Sequence, residues 1–472
     1  MRSYEKCYID GEWVHPVAPR EWTLVNPATE EPFATVALAG AGEVDAAVKA
    51  ARAAFKSFGA STKADRVALL ERIVDHFTRR EQELGETVTL ELGTPVSQKI
   101  HAPAALASFK QALSTLRDYE FETHLGPNLV RREPIGVCGL ITAWNWPLQL
   151  LATKLAYALA AGCTVVLKPS EYTPLSAILL TEILHDAGVP KGVFNLVVGD
   201  GPTVGNAISK HMDIDMVSFT GSTRAGVMVA EAAAPSVKRV AQELGGKSAN
   251  VILDDADLKA AAQWNVTRAF SNTGQSCHAP SRILVHRSQL DEVVSLLKDA
   301  AKTVRVGSPL DPEVAMGPVV SKAQFDRVQQ YIAIGIEEGA TVCTGGLGRP
   351  AGLERGYFVK PTIFSDVAPD MRIAQEEIFG PVLAVIPYDA EEEAIEIANG
   401  TEYGLGGYVF SSSRERGLSV GRQLRAGRVF LNGMASNTMA PMGGYKRSGN
   451  GREMGVFGLE EYLEVKAMIG FE

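Results

Sequence analysis

The chain has too few cysteines, too widely spaced, for either of cysteine's structural uses. Its five (Cys7, Cys138, Cys163, Cys277 and Cys343) are an odd number with no CxxC pair among them. That argues against a disulfide framework and against a structural zinc site. The eight histidines show no HxxxH spacing, so no metal is implied. An excess of basic charge is missing too: the formal net charge is −9, which disfavours nucleic acid or an anionic membrane surface as partner. Long apolar runs are also lacking. The stretch 155–167 is uncharged but short and contains Gly162, so it reads as a buried helix followed by a strand rather than a membrane span. Arg2, Glu5, Lys6 and Asp10 crowd the amino terminus where a secretory leader would be apolar, and a cytoplasmic location is expected. No internal repeat or low-complexity tract occurs.

What is present suits a globular protein. Hydrophobic residues make up 46% and charged residues 21%, and 472 residues allow about three domains of ordinary size. Short strands and turns are expected over 1–40, with Asn26-Pro27-Ala28-Thr29 a turn signal. Helical spacing follows over 41–59 (Val44, Ala47, Val48, Ala51, Phe55), 63–80, 81–92 and 103–121. The pattern then changes to apolar runs at 135–141, 164–168, 193–198 and 217–220, separated by helical stretches at 148–161, 174–187, 203–210 and 225–234. Strand and helix alternating in this way imply βαβ crossovers and a parallel sheet covered on both faces. The second half repeats the style, with strands over 250–253, 281–285, 382–386 and 428–432 and a Ser288-capped helix over 288–303. The fold class expected is α/β, with two doubly wound domains in succession and a cleft between them.

Chemistry-bearing residues stand at the ends of these strands, where ligands bind in doubly wound sheets. Ser271-Asn272-Thr273-Gly274-Gln275-Ser276-Cys277-His278-Ala279-Pro280 places a thiol in a loop of small, polar residues. Read locally, Cys277 is either a nucleophile or a small packed hydrophobe. His278 beside it invites a thiol–imidazole dyad, but neighbours in a loop rarely face one another. Lys168-Pro169-Ser170-Glu171 offers a lysine and a carboxylate to a ribose. Phe219-Thr220-Gly221-Ser222, with Gly226, opens a helix whose amides suit a phosphate, although it is not GxGxxG. Gly245-Gly246-Lys247-Ser248 does not make a phosphate-binding GxxxxGK[ST] loop, because Ala241 occupies the position of the first glycine. Glu243, Asn145 in Trp144-Asn145-Trp146-Pro147, and Glu376-Glu377-Ile378-Phe379-Gly380-Pro381 are each uninformative alone.

Taken together, these motifs resemble the aldehyde dehydrogenase superfamily across nearly the whole length. The matching stretches, in family order, are Asn26–Thr29, Trp144–Pro147, Lys168–Glu171, Phe219–Ser222, Glu243–Lys247, Gly274–Cys277, Glu376–Pro381 and Asn432. The resemblance implies that Cys277 attacks an aldehyde as a thiolate, that Asn145 and the Cys277 amide hold the oxyanion, and that Glu243 activates the water that hydrolyses the thioester. It implies NAD as cofactor, contacted by Trp144, Lys168, Glu171, Gly221, Ser222, Leu244, Glu377 and Phe379. A carboxylate at 171 favours NAD over NADP, since it accepts from a ribose 2′-hydroxyl and repels a 2′-phosphate. It also implies domains over 1–117 with 137–245 (cofactor) and 246–445 (catalytic), while 118–136 and 446–472 form an oligomerisation arm and carboxyl-terminal segment. A homodimer or homotetramer is expected, with 461–466 as a half-buried strand of the arm. Lys154 matches a family lysine that an ion pair explains equally well. Trp146, Thr153 and His278-Ala279-Pro280 depart from the usual pattern at positions flanking the substrate entrance. Two alternatives stay open here: a relative that transfers the acyl group to coenzyme A, and a non-catalytic binding or structural member.

Overall fold

A computed structural model describes residues 2–470 of the chain. Its centre is an eight-stranded sheet with five parallel strands, Val137–Ile141, Thr164–Lys168, Phe194–Leu196, Met216–Thr220 and Arg239–Glu243. Antiparallel strands from distant parts of the chain extend it: Cys7–Ile9 and Glu12–Val14 on one side, Gly449–Asn450 on the other. The parallel strands are buried at almost every position because helices cover both faces. Helix Pro147–Ala161 shows how the sequence arranges this. Pro147 sits at its first turn, and Gly162 ends it in the left-handed conformation at φ 94°, which favours glycine. Between these stops the helix is buried all round. Leu148, Leu151, Leu155 and Leu159 are inaccessible, each burial stabilising the fold by about 1.5–3 kcal/mol.

The second domain holds a seven-stranded sheet in the order Thr341–Thr344, Thr362–Ser365, Val382–Tyr388, Arg282–His286, Ala249–Ile252, Gly406–Phe410, Arg428–Leu431. All its pairings are parallel except that of Thr341–Thr344. A smaller three-stranded sheet joins Glu122–Leu125 and Asn128–Pro134 to Leu463–Met468 near the carboxyl terminus.

The two doubly wound domains and the arm match expectation, and several details differ. The fourth helix spans His101–Asp118, two residues earlier at its start and three at its end than the periodicity predicts. Residues 201–205 form a wider π-turn leading into helix Asn206–Lys210. Ser288 caps nothing: it lies in a 3₁₀ turn, the helix runs Leu290–Lys302, and Gln289 at its start makes no side-chain cap. The arm strand starts at Leu463 rather than 461, because the Glu461 and Tyr462 amides close the turn after helix Gly455–Glu460, and it is mostly exposed in the single chain.

Candidate active site

In the first sheet the chain runs outward through Val137–Ile141, Thr164–Lys168 and Phe194–Leu196. It then returns to the other side of Val137–Ile141 with Met216–Thr220 and Arg239–Glu243. Where strand order reverses, successive loops leave towards opposite faces and open a crevice at the carboxyl ends. Four of the predicted groups stand along this edge. Asn145 follows the first strand, Lys168 and Glu171 the second, Thr220-Gly221-Ser222 the fourth and Glu243 the fifth. Ser222 caps helix Thr223–Ala233, its hydroxyl accepting from the Ala225 amide at 3.3 Å. Beside the crevice the buried Thr220 hydroxyl has no partner. Lys168 lies buried, its ammonium donating to the Pro169 carbonyl at 2.8 Å and standing 3.4 Å from the Glu171 carboxylate. Leu244 is buried with its amide on the Ser448 carbonyl at 2.9 Å.

Cys277 comes from the second domain. Helix Leu258–Phe270 ends in a tight turn in which Asn272 (φ 51°) and Thr273 (φ 57°) both adopt the left-handed conformation. Non-glycine residues hold it only when the surroundings over-determine them, and here they do. The Asn272 amide donates to the Asn145 carbonyl at 2.8 Å, its oxygen accepts from the Thr94 hydroxyl at 2.7 Å, and the Thr273 hydroxyl donates to the Gly317 carbonyl at 3.2 Å. Gln275 closes the turn from its side chain to the Asn272 carbonyl, and Trp146 donates its indole N–H to Ser276 at 2.9 Å. Asn145 is tied to the same loop, its amide donating to the Gln275 carbonyl at 3.1 Å. An asparagine amide has two N–H donors, so this bond orients Asn145 and leaves a second donor.

The glycine pair after Glu243 lets the two domains meet. A Cβ on Gly246 would stand 2.2 Å from the Cys277 carbonyl oxygen. The Gly246 amide instead donates to Glu377 at 2.9 Å. Burial pushes the Glu377 carboxyl up to about 6, against the pull of that amide and of Arg327. Phe379 sits at φ 64°, unusual for a bulky residue, with its ring edge-on to Trp144 at 5.3 Å. The Gln324 amide holds that backbone by donating to the Phe379 carbonyl at 2.7 Å.

Glu243 is the most exceptional group. Its carboxylate is buried and neither oxygen has a hydrogen-bond partner. Burial, and then the charge of Glu453, push its pKa well above the usual carboxylate value. The Cys277 thiol is raised as well, by burial first and then by the charges of Glu243 and Glu377, while the amides of Cys277 and His278 favour the thiolate. Unpartnered buried carboxylates are costly, and such perturbed groups concentrate at working sites. Lys154 lies behind Glu243, bonded to Glu453 at 2.6 Å and to the Ser218 hydroxyl at 2.9 Å. The ion-pair reading of that lysine is the one the structure supports.

The fold therefore sets the predicted strand-end residues along one sheet edge, ties Asn145 to the Cys277 loop and brings Cys277 within electrostatic range of Glu243 and Glu377. Sequence reasoning missed the braces Thr94, Asn272 and Gln275, and also Glu453 and Arg268. Asn272, two residues before Gly274, carried a trace of signal, since asparagine tolerates the left-handed region. The others had none. His278 corrects an expectation: it does reach its neighbour, its Nδ1 lying 3.9 Å from the Cys277 sulfur. Thr153 lies deep in its helix, sharing a hydrogen bond with Ser108 at 2.9 Å, and Trp146 packs on His101 with ring centroids 4.5 Å apart.

Comparison with known proteins then decides the family. A model described as the aldehyde dehydrogenase family matches residues 13–468. The chain belongs to the aldehyde dehydrogenase family. It is an oxidoreductase, and its relatives cover it end to end. A Pseudomonas protein named 3-succinoylsemialdehyde-pyridine dehydrogenase is 54% identical, with all of both chains aligned. A cysteine-to-alanine variant of aldehyde dehydrogenase C from Pseudomonas syringae, solved in complex with NAD+ and octanal, is 52% identical. It superposes with a TM-score of 0.98, over 99% of this chain and 97% of that one. A Mycobacterium tuberculosis aldehyde dehydrogenase solved with NAD+ is 41% identical, with a TM-score of 0.97 over 99% and 98%.

Proposed function

We propose that this aldehyde dehydrogenase oxidises an aldehyde to the free carboxylic acid with NAD+, using Cys277 as nucleophile, Asn145 as oxyanion donor and Glu243 as base. The observation that carries this reading is the buried, unpartnered Glu243 carboxylate on the crevice edge, electrostatically coupled to the Cys277 thiol. A group so desolvated has no structural task in sight, and once ionised it is a strong base.

The crevice suits a dinucleotide on its own features. The capped helix start at Ser222, the unpartnered Thr220 hydroxyl and the glycine at 221 suit a pyrophosphate. Lys168 and Glu171 suit the adenosine ribose, while Glu377, Leu244 and the Trp144–Phe379 pair suit the nicotinamide end. Bound NAD+ supplies the hydride acceptor that turns the thiohemiacetal into a thioester. The chain does the rest. Cys277 sulfur bonds to the carbonyl carbon, and the charge that develops on the oxygen is met by the free N–H of Asn145 and the Cys277 amide. Glu243 takes a proton from water as it attacks the thioester, the carbon–sulfur bond breaks, and the acid leaves with the Cys277 thiolate restored. Product analysis with an aldehyde, NAD+ and coenzyme A is expected to yield free acid; acyl-CoA as the main product would refute the role given to Glu243. With Glu171 against the ribose, kcat/KM is expected to be higher for NAD+ than for NADP+.

The domain division proposed is 1–117 with 137–245 for the cofactor and 246–445 for catalysis. The arm of 118–136 and 446–472 is proposed to join copies into a dimer or tetramer. Leu125, Val465 and Ile469 on or beside its sheet are 70%, 66% and 71% exposed in the single chain, which supports that assignment.

A further inference from the structure

The two ring nitrogens of His278 each meet one group, and together these place its hydrogen. At its Nε2 stands the Arg268 guanidinium, hydrogen-bonded to the ring. Arginine has only donors, so Nε2 must present its lone pair. A neutral imidazole with Nε2 accepting carries its hydrogen on Nδ1, and Nδ1 is the atom 3.9 Å from the Cys277 sulfur, within reach of a sulfur hydrogen bond. The surroundings keep the ring neutral. Burial lowers its pKa far below the ordinary histidine value, and the cations of Arg268 and Arg428 push the same way. Tyr408, on strand Gly406–Phe410, donates its hydroxyl to the His278 carbonyl at 2.7 Å and so fixes the backbone that carries the ring. The Arg268 guanidinium stands between the His278 ring and the Tyr408 hydroxyl, both neutral groups.

We propose that His278 is a catalytic hydrogen-bond donor, its Nδ1–H aimed at the Cys277 sulfur, and that Arg268 is the positioning residue that locks this tautomer. The arrangement is the reverse of a thiol–imidazole dyad. Nδ1 already holds its hydrogen and Nε2 is engaged, so the ring takes no proton from the thiol. It stabilises the thiolate, and later the thiolate that leaves when the thioester is hydrolysed, by a charge-assisted bond. That help offsets the groups that oppose ionisation, namely burial and the carboxylates of Glu243 and Glu377 facing the sulfur. The proposal rests on Cys277 being the nucleophile.

The test is iodoacetamide labelling of Cys277 in the full chain across pH, read by mass on the peptide that contains it. His278→Ala is expected to move the thiolate inflection up by about one pH unit, a roughly tenfold loss of thiolate below it. His278→Asn, whose amide N–H takes the place of Nδ1–H, is expected to recover most of that shift, whereas His278→Leu, with bulk but no donor, is not. Arg268→Met releases Nε2 and with it the fixed tautomer, and is expected to move the inflection up towards that of His278→Ala, while Arg268→Lys, still a donor, keeps the original profile. An unmoved inflection in both His278→Ala and His278→Leu overturns the proposal, as does an Arg268→Met profile identical to wild type. Cys277→Ala tests the underlying reading separately. If that variant oxidises aldehydes, the nucleophile assignment fails, while labelling of the native chain still reports whether His278 donates.

Discussion

Glu243, the proposed base, illustrates how a residue placed for activity can cost stability. With its pKa raised in the folded chain and ordinary in the unfolded one, both states are protonated in acid. As pH climbs past the usual carboxylate range, only the unfolded chain releases the proton, so folding stability falls with pH until the folded group also ionises. Glu243→Gln cannot ionise, and its Tm relative to wild type is expected to rise steadily from acid to alkaline pH; a constant difference by calorimetry would contradict the desolvation argument. In the same variant the first turnover of NADH formation should persist as a burst, while the steady-state rate drops about 10²–10⁴-fold. Because both Cys277 and Glu243 must lose protons that burial holds on, kcat/KM of the wild type should increase from neutral towards alkaline pH. Asn145→Ala removes an oxyanion donor, and kcat should fall about 10²–10³-fold with NAD+ affinity, measured by titration calorimetry, little changed. Cys277, Glu243 and Asn145, the residues given these proposed roles, stood out in the sequence through the motifs around them. The lack of any partner on Glu243 was not, because a missing hydrogen bond is a property of everything around the group.

At the scale of elements, the buried ion pair beneath strand Arg239–Glu243 supports a further prediction. Lys154 is 1% exposed and its partner Glu453 lies more than 300 positions from Pro147, the start of the Lys154 helix. Lys154→Met leaves the Glu453 carboxylate buried without its cation, at a cost of about 3–5 kcal/mol. It also removes a positive charge that draws the Glu243 pKa down. Denaturant unfolding should show the loss of stability, and the alkaline limb of the activity profile should move higher. The elements themselves were largely readable. Helix Pro147–Ala161 announces itself by Pro147 at one end and Gly162 at the other, and strand Thr164–Lys168 by its unbroken apolar run. Where reading failed, the competing signal was local. Ser288 follows the grammar of a cap, yet His286 accepts the Ser288 amide and turns the chain once more before the helix begins. Gly449–Asn450 is too short to show any periodicity, and it becomes a strand only because the edge of Arg239–Glu243 is there to pair with.

For the molecule as a whole, the arm makes a prediction about assembly. The particle in solution should be a multiple of 50.5 kDa by light scattering. Val465→Glu, placing charge on the outward face of Leu463–Met468, should shift it towards the single-chain mass with the far-ultraviolet spectrum unchanged. A single-chain mass for the native protein would remove the role assigned to the arm.

Local patterning alone determined the alternation of strand and helix, the two doubly wound sheets it entails and the strand-end positions of the reactive residues. These follow from periodicity and turn chemistry, which act over a few neighbours. The motif order, read as a family resemblance, determined the chemistry expected of them. Only the tertiary structure decided which groups meet. It set Glu243 without a partner, bound Lys154 to Glu453, braced Asn272 in a left-handed turn from Thr94 and Asn145, and turned the His278 imidazole from a candidate base into a donor by placing Arg268 at its far nitrogen. Hydrogen-bond partnership, burial and proton position depend on groups that converge from distant parts of the chain, and nothing in the spacing of neighbours encodes them.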